Sequence, residues 1–77
     1  MAYIDIDRFD DIRRNAIKTL RMIGKHPAFE ERAQELVEAY EAAFDDLLEH
    51  ASPEAIQAFA ALNSAVQALR REALVSS

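Results

Sequence analysis

Gly24-Lys25-His26-Pro27 contains the chain's one glycine and one of its two prolines. A glycine just past an apolar-periodic segment, with a proline soon after, marks a helix stop: glycine fits the final turn and proline cannot extend it. Working outward, the second proline falls in His50-Ala51-Ser52-Pro53. There the Ser52 hydroxyl is placed to accept a backbone N–H of a new helix. Pro53 suits a first helical position, whose N–H has no partner in any case. Two joints in 77 residues leave three segments, expected as helices at about 5–24, 27–50 and 53–75. Joints this short make consecutive helices antiparallel. The expected fold is therefore all-α: an antiparallel three-helix bundle, a single domain over residues 1–77. The rival is a hairpin of the second and third helices with the first exchanged onto another copy. A homodimer of bundles is also expected.

Apolar spacing supports each segment. In the first, Phe9, Ile12, Ala16, Leu20 and Ile23 fall on one stripe. Asp5 is the expected cap, because it makes Ile4 and Phe9 a hydrophobic staple. Asp7 competes for that place, and the alternation from Tyr3 to Asp7 also suits a short extended arm. In the second, Phe29, Ala33, Leu36, Tyr40, Ala43 and Leu47 form one column, with Val37, Phe44 and Leu48 beside it. So wide an apolar arc needs two neighbours. In the third, Ala55, Phe59, Leu62, Val66, Leu69 and Ala73 form the stripe, flanked by Ala58 and Ala65.

Charge is distributed unevenly around these stripes. Ala55 to Leu69 is free of charged side chains in a chain that is 30% charged. Gln57, Ala60, Ala61, Ser64, Gln67 and Ala68 point away from the third stripe. Ala60, Ser64 and Ala68 recur four apart as a shallow track. Small neutral residues let a second backbone come close without desolvating a charge, although alanine is also simply the best helix former. The second segment carries a ridge of Glu31, Glu35, Glu38, Glu41, Asp45 and Glu49. Like charges four apart cost a few tenths of a kcal/mol per pair, so the ridge keeps the protein in solution, receives a basic protein surface, or imitates a phosphate backbone. Arg14, Lys18, Arg21 and Lys25 form a basic face on the first helix. Acids lead and bases trail there, an order that suits the helix dipole. Pairing of this face with the acidic ridge, within a chain or between chains, is a further expectation.

Several chemistries are disfavoured. With no cysteine there is neither a disulfide nor a thiolate metal site. His26 and His50 lie at opposite ends of a helix, roughly 36 Å apart, too far to share an ion. His50 is expected to meet the last carbonyls of its helix. One glycine rules out a Gly-rich phosphate loop, and no hydroxyl has a local histidine and acid beside it. Binding of nucleic acid is disfavoured, because the basic face is followed by an acidic helix and then by a neutral one. No leader and no membrane-spanning run is expected, hence a cytoplasmic location. No metal or cofactor is expected.

The reading is a non-enzymatic, acidic protein-binding module that acts by occupying a partner protein's surface. Such a module is a regulator, adaptor or antagonist, of a kind that phages and mobile elements also encode. The alternatives are a small DNA-associated transcriptional regulator using the basic face, or a structural subunit of a larger assembly.

Overall fold

Asp5 caps the first helix, its carboxylate accepting the Arg8 N–H at 3.2 Å. The computed structural model describes residues 5–76. Three helices account for most of them: α1, Ile6–Ile23; α2, Glu30–His50; and α3, Pro53–Ser76. Ile4 and Tyr3, and with them the staple and most of the extended arm, lie outside the described residues. Ile6 and Asp7 are helical.

The second helix begins three residues later than its sequence suggests. The intervening turn closes on its own backbone, with Gly24 donating to Leu20 at 2.8 Å and Phe29 to His26 at 3.0 Å. The His26 Nδ1 accepts the Ala28 N–H at 3.1 Å, and its ring lies 5.3 Å from that of Phe29. This imidazole holds residues 26–29 as a turn, while Phe29, buried, takes the cap position without any side-chain acceptor of its own. At the other joint Ser52 does cap α3, its Oγ accepting the Ala55 N–H at 3.1 Å.

The glycine is not used as its position implies. Gly24 ends α1 in right-handed geometry, at φ −67°. A Cβ there would stand 3.1 Å from the Leu20 carbonyl and 3.4 Å from the Ala33 Cβ. Its missing side chain gives room where the turn closes on α2, and no left-handed backbone is involved. The left-handed residue is Ala51, at φ 49° and ψ 33°, whose N–H bonds the Leu47 carbonyl at 2.9 Å. An L-residue with a Cβ is strained there and glycine is not. Ala51→Gly is therefore expected to stabilise the fold by about 1 kcal/mol, read as a higher urea midpoint at unchanged slope. A lower midpoint would show that the strain is absent.

Facing pairs fix the up-down-up order. Gly24 meets Ala33, Arg13 lies over the Phe44 ring at 4.8 Å, and in both pairs the two residue numbers add to 57. Arg32 at the start of α2 pairs with Glu72 near the end of α3 at 2.7 Å. α1 packs against both other helices of its own chain, so the exchanged hairpin is not the arrangement seen. The bundle is a rod of 46 × 19 × 17 Å, and long side faces make up most of its surface.

Where the three helices meet, Phe59 lies edge-on to Phe9 at 5.3 Å and to Tyr40 at 5.2 Å. Leu20, Ala33, Val66 and Leu69 fill the space around them. The stripes read from the sequence carry this core, with three departures. Ile17 is buried although it lies beside the stripe of α1, because α1 turns a second side toward α2. Leu48 is 52% exposed and Ala58 is exposed, so the second column of α2 ends at Phe44 and alanine flanks α3 on one side only. Among the described residues, no helix is long and apolar enough to cross a membrane.

Candidate partner-binding surfaces

Three side faces follow from the packing, one for each outer helix stripe. On α3, Gln57, Ala60, Ala61, Ser64, Gln67 and Ala68 are all exposed. The face is reached because Ser52 starts the helix in a register that turns Phe59, Val66 and Leu69 inward. At helical spacing Val75, 85% exposed, extends the same line.

Beside it, α1 and α3 leave an open cleft. One stretch, of about 220 Å³, is lined by Ile12, Asn15, Ala16, Thr19, Asn63, Val66 and Gln67. Thr19 continues it into a wider groove of about 520 Å³, with Ile23, Phe29 and Ala73 among its walls. Met22 and Leu74 border this groove, each 65% exposed. Both helices run in the same direction, which brings their C-terminal ends together here. Sequence reasoning missed this groove. Met22, Leu74 and Val75 stand off the core stripes, and that displacement, joined to the up-down-up order, was the available signal.

The acidic ridge is real as a surface. Glu31, Glu35, Glu38, Glu41, Asp45 and Glu49 are all exposed, and no ion pair engages any of them among the described residues. The basic face is exposed too. Arg14, Lys18, Arg21 and Lys25 border a groove of about 400 Å³ between α1 and α2, with buried Ile17 among its walls and Glu41 on the far side.

Not every cation in this groove is available. Asp10 binds Arg13 at 2.6 Å and Arg14 at 3.0 Å. The Arg13 hydrogen bond, joined by the Arg14 charge, holds the Asp10 carboxyl below the ordinary carboxylate range. Arg13 is half-buried and spends its guanidinium on Asp10 and the Phe44 face, which ties α1 to α2. Lys18, Arg21 and Lys25 meet no carboxylate within ion-pair distance among the described residues.

The histidines take structural positions. His26 shapes the first turn, and His50 approaches Asp46 at 3.7 Å instead of the last carbonyls of α2. An i,i+4 acid on the helix surface reaches that imidazole more readily than carbonyls directed along the axis. Among the described residues, no group of three or more histidine and carboxylate side chains is placed to hold a metal ion. No protein-family model, curated protein or solved structure matches the chain.

Proposed function

We propose that the chain is a non-enzymatic, cytoplasmic protein-binding module whose α3–α1 side occupies the surface of a partner protein. It acts as a regulator, adaptor or antagonist through that occupation. One observation carries the reading. The neutral outer track of α3 runs, through Gln67, into the α1–α3 cleft, which ends at the apolar groove between Met22 and Leu74. Apart from Arg70 and the His26 imidazole on the wall of the groove, this continuous surface is built of neutral side chains that cost little to desolvate, and exposed apolar patches beside polar rims are where proteins dock. Methionine at its edge adapts to varied partner shapes. The α1–α2 groove is a poor match for a phosphate backbone, because Glu41 and Asp45 stand on the same face as the cations.

Ser64→Arg and Met22→Asp place charge at the two ends of this surface without touching the buried core. Each is expected to abolish recovery of a specific partner from native extract while the chain stays helical. Glu35→Lys, on the opposite side, is expected to leave recovery unchanged. Equal recovery with all three variants would remove the α3–α1 side from the interface.

A further inference from the structure

We infer that the α1–α2 groove receives an acidic, amphipathic helix of a partner protein, at a site separate from the α3–α1 surface. The fold leaves cations over on this side. Arg14, Lys18, Arg21 and Lys25 are exposed and line one groove of about 400 Å³. Asp10 engages Arg13 at 2.6 Å and Arg14 at 3.0 Å. Lys18, Arg21 and Lys25 meet no carboxylate within ion-pair distance among the described residues. They follow one another at three and four residues, so they form a single file along α1 and the turn after it. Such a file is conspicuous in a chain of net charge −5. Beneath it lies buried Ile17, and the methylene stems of the basic side chains add apolar wall.

The borders of the file select its occupant. Asp7, Asp10 and Asp11 precede Arg14 on α1, and Glu41 and Asp45 stand across from it on α2. From Arg14 to Lys25 the row is about 16 Å long at a helical rise and one side chain wide. A membrane surface or a nucleic-acid backbone spreads its charge beyond so narrow a strip and meets these carboxylates. A helix about 10 Å across fits between two others and carries charge only on the side that faces α1. Its carboxylates, three and four residues apart, reach Lys18, Arg21 and Lys25, while apolar side chains beside them settle over Ile17. The stripe that meets Glu41 is neutral. A second copy of this chain does not supply such a helix, because the apolar stripe of its α2 is spent on its own core through Ala33, Tyr40 and Leu47. The net negative charge holds off ligands that are acidic on every side, so selection works by the position of charge and not by its amount.

The test is fluorescence anisotropy with a labelled, lactam-bridged helical peptide that carries glutamates three and four residues apart and leucines on the adjoining stripe. The full chain is expected to bind it at low salt with a Kd in the micromolar range, weakening as salt rises. Lys18→Gln, Arg21→Gln and Lys25→Gln together are expected to lower the affinity at least tenfold, with circular dichroism checking that the helices remain. Lys18→Gln alone is expected to cost about threefold, and it serves if the triple variant loses helix. A peptide with alanine in place of the leucines is expected to bind at least tenfold more weakly, because nothing then covers Ile17. Ser64→Arg, on another face, is expected to leave peptide binding unchanged, which separates this site from the α3–α1 surface. No binding at hundreds of micromolar overturns the proposal. So does binding that survives the glutamines or the loss of the leucines, or that Ser64→Arg abolishes. Tighter binding of a labelled oligothymidylate or of anionic vesicles overturns the choice of occupant. Self-association of the parent chain that the glutamines abolish does the same, giving the groove to a second copy.

Discussion

Phe59→Ala is expected to destabilise the bundle by about 3–5 kcal/mol, the largest effect of any single truncation in this chain. Phe59 is 2% exposed, and its ring is the one that meets aromatic neighbours on both other helices, Phe9 at 5.3 Å and Tyr40 at 5.2 Å, each close to perpendicular. Truncation loses the burial of the ring, opens a cavity and removes two edge-to-face pairs worth about 0.5–1.5 kcal/mol apiece. A domain of this length has a total stability of roughly 4–11 kcal/mol, so at least about a quarter is lost, and most of it toward the low end of that range. The melting temperature should fall by roughly 15–30 °C. Leu48→Ala is the contrast. Leu48 is chemically a core residue but is half exposed, and its truncation should stay within about 0.5 kcal/mol of the parent. Urea unfolding of both variants decides the matter. Comparable losses would mean that the second apolar column of α2 faces the core along its whole length.

The contrast between these two residues also shows what is legible in the sequence. Periodicity locates Phe59, Tyr40, Leu20 and Leu47 in the core, because a 3.6-residue repeat states which side of a helix is apolar. The caps at Asp5 and Ser52 are legible for a similar reason, being local bonds between a side chain and a backbone three residues on. Periodicity does not state how far a neighbouring helix reaches, and Leu48 lies beyond that reach. Nor does it say which of two neighbours a second stripe will find, so Ile17 escapes it. The joints are read correctly as joints and incorrectly as geometry. Gly24 serves close approach, left-handed backbone falls on Ala51, and a histidine side chain postpones α2 to Glu30. The three charged or neutral faces follow from composition and spacing alone. Their neighbours do not: the α1–α3 groove requires knowing that both helices end together.

Tyr40→Phe should raise stability at neutral pH and abolish part of the chain's sensitivity to alkali. Tyr40 is wholly buried at the centre of α2, and its hydroxyl has no hydrogen-bond partner. An unsatisfied buried hydroxyl costs about 1–3 kcal/mol. Phenylalanine removes it while keeping the ring against Phe59, so a gain of about 1–2 kcal/mol is expected at pH 7. Burial also pushes the phenol up to about 12. The unfolded chain releases that proton near pH 10, whereas the folded chain holds it until about pH 12. Stability from this group is therefore complete below pH 10 and is lost progressively as pH rises from 10 to 12. A displacement of two units corresponds to roughly 3 kcal/mol. Every other ionisable group is common to both chains, so the difference between the chains isolates Tyr40. Urea midpoints measured from pH 7 to 12 should show the phenylalanine chain more stable throughout, with the gap widening above pH 10. A phenylalanine chain less stable than the parent at pH 7 would mean that the hydroxyl has a partner in solution, and that the centre of the bundle admits water or a polar group.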